Sequence, residues 1–358
     1  LEKFNLCRFS YFCNYGLNVR ERQRAEINPM QYGTIVHYIL ERFFSEYTKE
    51  EYLSLEEDKF QKIVCAYLAE YAVKYFGEEQ LESNSFTYRL KTILDNVMYL
   101  MKHIMEELSQ SEFFVADCEL KIGEDIPSYT IVLPDGHKIA VCGSVDRVDI
   151  MQRADITYLR IIDYKTGTKQ FKLSDILYGI NLQMLLYLHS IEASGGDKYG
   201  EIVPAGILYM PATVPYISSD SLKSIDKLPD ELNKKLKMNG LLLKDTEIIH
   251  GMDKTDVATY IPVKIKAGEP VSSTSLATLA EFGKIFKKVD MLIAEMGKNI
   301  YNGNIEAKPL KGGHDSCEYC PYDSVCAYRQ SNPITCFSVD NKTVIEKITN
   351  EINGKEEE

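Results

Sequence analysis

Residues 158–165, Tyr-Leu-Arg-Ile-Ile-Asp-Tyr-Lys, run from apolar and β-branched side chains into two charges and then a Thr166-Gly167 turn. A run of this length and composition, closed by a turn, reads as a strand. Side chains two apart on a strand share a face, so Asp163 and Lys165 point the same way. The surrounding segment 113–165 is a series of short β-branched runs broken by Pro134-Asp135-Gly136 and by the polar loop 151–157, the pattern of an antiparallel meander. Gly143-Ser144-Val145-Asp146 lies one hairpin earlier, where pairing can bring Asp146 to meet Asp163 across the ladder. Two carboxylates crowded in a core repel or take up a proton, and a divalent cation such as Mg²⁺ resolves that conflict.

The remaining periodicities frame this strand. Residues 30–47 read as a helix with Val36, Ile39, Leu40, Phe43 and Phe44 on its apolar side, and 52–78 and 86–109 as two further amphipathic helices. A helix is expected over 174–192 and an apolar strand over 203–210. The order helix, strands, helix, strand points to an α/β sandwich. The stretch 211–275, rich in Ser, Lys, Pro and Gly, reads as an insertion, and a helix over about 275–300 leads into the glycine-punctuated segment 303–316 and a cysteine cluster. The whole chain, 1–358, is expected to be one domain. Its core lies in 30–47 and 113–210, with a helical insertion at 45–110 and a second insertion at 211–275.

A chain of 358 residues can bury a sizeable core, and its first residue, Leu1, suggests a piece cut from a longer protein. No apolar run approaches the ~18–20 residues that cross a bilayer, so a soluble protein with no membrane partner is expected. A net charge of −12 argues against gripping nucleic acid over the whole surface. A local basic groove remains open to Arg20, Arg22 and Arg24, to Lys165, Lys169 and Lys172, and to Lys284, Lys287 and Lys288, while the Glu356-Glu357-Glu358 tail adds to the acidity. Nine cysteines, an odd count in a chain too large to need disulfide staples, favour the reducing cytoplasm and leave thiols available as ligands. No G-x-x-x-x-G-K-[ST] phosphate loop is present, which excludes ATP binding by that route.

Further candidates sit on the flanking elements. His37 follows Gly33 by four residues, with Glu41 one turn on. A lone histidine on an apolar helix is usually a packed core residue, but beside the aspartates its imidazole completes a carboxylate shell and tilts the site toward Mn²⁺ over Mg²⁺. Gln183 and Tyr187 are four apart and face together, with Leu182, Leu185, Leu186 and Leu188 on the packed sides. The pair is ordinary helix polarity or a hydrogen-bonding contact to a phosphate backbone. Arg147 and Asp149 fall on the other strand face and read as structural, and Glu119 reads equally as an outer acid or a surface residue. Cys317-x-x-Cys320-Pro321 and Cys326 place three thiols near one centre, which zinc, an iron–sulfur cluster or a redox dithiol would each satisfy.

Gly33-x-x-x-His37, Gly143-x-x-Asp146, Asp163-Tyr164-Lys165-Thr166 and Gln183-x-x-x-Tyr187 together, in this order, resemble the motifs of the RecB-type PD-(D/E)xK nucleases. The resemblance implies a restriction-endonuclease-like core, a mixed sheet flanked by helices, in which His37, Asp146, Asp163 and the Tyr164 carbonyl hold Mg²⁺ or Mn²⁺. It implies that Lys165 assists the attacking water and that Gln183 and Tyr187 steady DNA. In the iron–sulfur branch of that family one cysteine precedes the core and three follow it. This implies a [4Fe–4S] cluster on Cys7, Cys317, Cys320 and Cys326, clasping 1–20 to 312–330. Arg8 stands where that branch has a proline, which leaves Cys13 as a substitute for Cys7. Cys65, Cys118, Cys142 and Cys336 are expected to be buried small apolar residues.

Residues 236–252 and Gly303-Asn304-Ile305 also resemble the C-terminal part of the AddB family, the B subunits of bacterial AddAB helicase–nucleases. That likeness implies an upstream helicase-like region, an AddA-like partner subunit, and an exonuclease acting on the 5′-ended single strand of an unwound duplex during double-strand-break processing. A stand-alone CRISPR-associated exonuclease of the same type and a catalytically silent DNA-binding scaffold are the alternatives.

Overall fold

The computed structural model describes the chain apart from residues 1, 21–28, 168, 216–227, 256, 267, 273, 327, 329–332 and 357–358. Arg22, Arg24, Glu357 and Glu358 therefore lie outside the described residues. Seven strands are named in chain order: β1 (Phe114–Ile122), β2 (Tyr129–Val132), β3 (Lys138–Val141), β4 (Gly143–Arg153), β5 (Ile156–Lys165), β6 (Glu201–Pro211) and β7 (Asn239–Leu243). The central sheet runs β1-β4-β5-β6-β7 and ends on the short strand Leu276–Ala277. β1, β4 and β5 pair antiparallel, β6 joins β5 in parallel after the crossover helix Gln183–Ser194, and β7 returns antiparallel. This is the α/β architecture that the element order predicts, with the mixed, helix-flanked sheet that the family resemblance implies.

The expected meander is interrupted. β2 and β3 pair only with each other, so the hairpin turning at Pro134-Asp135-Gly136 leaves the sheet. β4 and β5 are eleven and ten residues long with largely buried centres, whereas β2 and β3 are four residues each and lack a face buried throughout. The short hairpin instead leans on helix Leu279–Tyr301, where Tyr129 donates to Asp290 Oδ2 at 2.9 Å.

The helix expected over 174–192 is also divided. A 3₁₀ segment, Leu173–Tyr178, stops at Gly179 (φ 69°) and Asn181 (φ 56°), and the α-helix begins at Gln183. One distant and one local contact hold the break open: Asn5 Nδ2 donates to the Gly179 carbonyl at 2.9 Å, and Asn181 Nδ2 donates to Asp175 Oδ2 at 2.5 Å. The stretch 211–275, read as an insertion, contributes β7 to the sheet interior, with Leu241 and Leu242 fully buried.

Helices Pro29–Glu46, Glu57–Phe76 and Asn84–Gln110 share one continuous apolar core with the sheet. A buried ionic group sits within it. Arg147 and Asp149 of β4, Arg160 of β5 and Glu107 of helix Asn84–Gln110 are all 0% exposed. Arg147 Nη2 lies 2.7 Å from Asp149 and 3.2 Å from Glu107, and Arg160 Nη2 lies 2.6 Å from Glu107 and 2.9 Å from Asp149. Two cations and two carboxylates neutralise one another, the condition for burying charge. Strand alternation puts this group on the face opposite Asp163.

One groove candidate and one cysteine depart from expectation. Lys288 is buried and paired with Glu351 at 2.7 Å, so it holds helix Asn341–Glu356 rather than lining a surface groove. Cys142, expected to be buried, is exposed, because it lies between the projecting hairpin and β4. The two ends of the chain meet directly: Ser316 Oγ donates to the Leu6 carbonyl at 2.9 Å and Tyr322 donates to the Val19 carbonyl at 2.8 Å.

Candidate active site

The ladder between β4 and β5 sets Arg147 opposite Ile162, and one step further Asp146 meets Asp163 where β5 runs out of the core. Asp146 Oδ2 accepts from the Tyr164 amide at 2.9 Å, in place of a regular ladder bond. Asp163 is 6% exposed, and its Oδ2 lies 2.5 Å from Lys165 Nζ. That contact is an ion pair off the hydrogen-bonding direction, and Oδ2 has no hydrogen-bond donor. Burial and then the Asp163 charge push Asp146 up to about 7, with His37 and the Tyr164 amide pulling back.

His37 comes from helix Pro29–Glu46. Its Nδ1 lies 3.3 Å from Glu119 Oε1 and 3.7 Å from Asp146 Oδ2, while Nε2 lies 3.4 Å from the Tyr164 carbonyl. Burial opposes its protonation, but the Glu119 hydrogen bond and the Asp146 and Glu119 charges outweigh burial and raise its pKa. Glu119 is held lowered by the His37 hydrogen bond and by Ser144, whose hydroxyl donates to it at 2.8 Å. Tyr164 links these parts: its amide serves Asp146, its carbonyl faces His37, and its hydroxyl accepts from the buried Arg147 at 3.4 Å.

Glu119 is the residue whose role the sequence left balanced. It stands in the middle of β1 with φ 50°, a left-handed backbone that a non-glycine residue adopts only where its surroundings enforce it. Ligand atoms of His37, Glu119 and Asp146 all lie within 4.8 Å of one another. Two carboxylates and one imidazole, with an unsatisfied Asp163 oxygen beside them, fit a divalent cation of the Mg²⁺ or Mn²⁺ kind. Asp163 stands outside that close trio, facing Lys165.

Gln183 and Tyr187 come together on one helix face, with Gln183 Nε2 donating to the Tyr187 hydroxyl at 3.4 Å. Leu182, Leu185, Leu186 and Leu188 are buried behind them. A Cβ at position 143 would overlap the Tyr187 hydroxyl, so Gly143 clears the space in which this tyrosine reaches the β4 strand. A groove of about 530 Å³ opens here, lined by Gln183, Tyr187, Cys142, Lys3 and Tyr15 among others.

At the joined chain ends Cys7, Cys317, Cys320 and Cys326 line one cavity of about 170 Å³. Burial raises the Cys7 thiol, offset by backbone bonds to Ser10 and Phe9. Cys13 lines no part of that cavity, although Cys320 and Cys326 add to the burial that raises its pKa. Among the described residues no three of these sulfurs lie within 4.8 Å of one another. A single tetrahedral zinc, with Zn–S of ~2.3 Å, would hold sulfurs about 3.8 Å apart.

A β4–β5 corner with neighbouring aspartates, a lysine two residues on, and a histidine and glutamate within 4.8 Å of Asp146 has the donor set to hold a divalent ion. The chain belongs to the PD-(D/E)XK nuclease superfamily, whose sequence profile matches residues 1–327. Within that class it is similar to proteins named as the B subunit of an ATP-dependent helicase/deoxyribonuclease. The one from Thermoanaerobacter sp. (strain X514) is 35% identical over 340 residues, covering 92% of this chain and 29% of the relative. That from Alkaliphilus oremlandii is 33% identical over 368 residues (98% and 32%), and that from Clostridium kluyveri (strain NBRC 12016) is 34% identical over 374 residues (100% and 32%). The chain thus spans about 29–32% of the length of these relatives.

Proposed function

We propose that this chain is the DNA-cutting domain of a helicase–nuclease B subunit, hydrolysing phosphodiester bonds in the 5′-ended strand of an unwound duplex during double-strand-break processing. The observation that carries this reading is the burial of Asp146 next to the Asp163 charge, which together lift Asp146 to about 7 beside a lysine and a histidine. A carboxyl perturbed in this way beside other titratable groups favours catalysis over structure. His37, Asp146, Asp163 and the Tyr164 carbonyl are the ligands proposed for Mg²⁺ or Mn²⁺, with Glu119 added by its place within 4.8 Å of two of them. A bound divalent ion supplies Lewis acidity there, lowering the pKa of water and offsetting phosphate charge.

The protein's own groups do the rest. Lys165 is held at the Asp163 carboxylate, where its ammonium can orient the attacking water toward an in-line approach. Glu119 fixes the His37 ring from one side and the Tyr164 carbonyl from the other, so the imidazole does not rotate away. Gln183 and Tyr187 offer amide and phenol donors to the strand backbone along the groove beside Gly143.

Cys7, Cys317, Cys320 and Cys326 are proposed to hold a [4Fe–4S] cluster. Their shared cavity supports that reading. The names of the relatives support a helicase–nuclease partner subunit of the AddA kind and DNA as substrate. No helix among the described residues is long and apolar enough to cross a membrane, and all nine cysteines are free, which supports a reducing, cytoplasmic setting.

The deciding experiment is digestion of single-stranded DNA under Mg²⁺ and Mn²⁺ titration. Asp163→Ala is expected to abolish cutting, and Lys165→Ala to slow it by about 10²–10⁴-fold, the usual worth of a positioned proton-transfer group. A parent protein that leaves DNA intact at every metal concentration, or variants that cut as fast as the parent, would overturn the proposal.

A further inference from the structure

The loop after β5 carries a second lysine, Lys169, one of the groove candidates in the sequence. Its Nζ lies 5.0 Å from the centre of the Tyr209 ring, and Lys165 Nζ lies 5.9 Å from the same ring, both within cation–π reach. Tyr209 is the β6 residue paired with Asp163 in the parallel ladder, so its ring stands beside that carboxylate. It is 1% exposed, and its hydroxyl has no hydrogen-bond partner. A buried phenol whose oxygen bonds to nothing acts through its ring.

The backbone of the loop is pinned as well. Asn239, the first residue of β7, donates through Nδ2 to the Lys169 carbonyl at 3.2 Å and accepts from the Phe171 amide through Oδ1 at 2.8 Å. A loop lysine ordinarily ranges freely at its tip. This one is fixed by two bonds flanking Gln170 and by an aromatic ring beneath its ammonium. Lys165 has its carboxylate at 2.5 Å, whereas among the described residues no carboxylate lies within 4.0 Å of Lys169 Nζ. An immobilised, uncompensated cation beside the cutting corner lacks an anion, and a nucleic-acid strand supplies one at every nucleotide.

We propose that Lys169 is a second phosphate-binding cation of the cutting corner. It is positioned by Tyr209 and Asn239 to take the backbone phosphate adjoining the one that faces Asp163 and Lys165. The inference rests on the nuclease reading and adds a subsite to it. Tyr209 and Asn239 are positioning residues, because they touch Lys169 and its loop rather than the strand.

The test is binding of a single-stranded thymidine oligonucleotide without divalent ion, followed by fluorescence anisotropy through a salt titration, with cleavage kinetics in Mg²⁺ alongside. Lys169→Ala is expected to weaken binding about five- to tenfold and to reduce the slope of log affinity against log salt by ~0.7, one single-strand phosphate contact. Lys169→Arg restores both. Tyr209→Leu reproduces the Lys169→Ala loss and Tyr209→Phe, which keeps the ring, recovers it. In cleavage the effect falls on KM, with kcat within about twofold. An unchanged salt slope in a Lys169→Ala protein that melts with the parent overturns the inference, as does a loss confined to kcat. If the alanine variant melts early, Lys169→Gln, which retains most of the stem, takes its place and is held to the same salt slope. A parent that binds the oligonucleotide but never cuts it defeats the nuclease reading instead, and the salt slope still decides whether Lys169 holds a phosphate.

Discussion

Asp146 shows how a single buried side chain can carry a charge at the expense of stability. A free aspartate titrates near 3.8, and burial with the neighbouring Asp163 charge moves this one to about 7. A carboxyl whose folded pKa is raised binds more protons in the folded than in the unfolded protein between those values. Its contribution is therefore fully present below the unfolded pKa and is lost as pH rises through about 7. The cation-free protein is expected to melt at lower temperature at pH 8 than at pH 5.5 from this group, with Mg²⁺ or Mn²⁺ recovering the loss. Asp146→Asn keeps an acceptor for the Tyr164 amide while removing the charge. It should raise the melting temperature of the cation-free protein at pH 8 and abolish the response to added metal. A lower melting temperature in that variant would mean that the charge is not under strain. Glu119 makes the complementary point: a strand glutamate acquires a ligand's position only through a left-handed backbone, and no pattern of residue types announces that.

Between elements, the buried group of Glu107, Arg147, Asp149 and Arg160 fixes β4 against β5 from the face opposite the site. Removing one partner strands the others in a dry core. Arg160→Met is expected to cost about 3–5 kcal/mol, checked by equilibrium urea unfolding, while replacing all four by apolar residues of matching volume should be far milder. A loss under about 1 kcal/mol for Arg160→Met would show that the remaining charges find water. The sequence marked Arg147 and Asp149 as structural from strand parity alone, but Glu107 and Arg160 lie on other elements and could be joined to them only by packing. The break at Gly179 and Asn181 is of the same kind. The segment 174–192 has helical periodicity throughout, and Asn5, from the far end of the chain, bonds to the Gly179 carbonyl where it breaks, with a local bond from Asn181 to Asp175 beside it.

Across the whole molecule the two ends of the chain are brought to one place beside the core. Ser316 bonds to the Leu6 carbonyl and Tyr322 to the Val19 carbonyl, with the four cysteines around a common cavity. Closing a loop of this length restricts the unfolded chain by about 5–6 kcal/mol in the chain-entropy treatment. Cys317→Ala is expected to lower the melting temperature, expose the ends to limited proteolysis and weaken DNA binding, with loss of visible cluster absorbance. Full stability of that variant, together with a parent that shows no such absorbance, would refute the clasp.

Strand alternation and helical spacing were enough to give the α/β class and to put Asp163 with Lys165, and Gln183 with Tyr187, on shared faces, because those signals depend only on backbone period. The mixed sheet and the joining of His37 and Asp146 to them rested on the order of the four motifs and their resemblance to the nuclease family. Local period says nothing about which distant groups share a volume. Tertiary packing decided that Glu119 turns toward His37, that β2 and β3 leave the sheet, that β7 enters it from a polar stretch, and that Gly143 makes room for Tyr187. Each of these follows from contact between segments far apart in the chain, where the energy of burial and charge pairing outweighs local propensity.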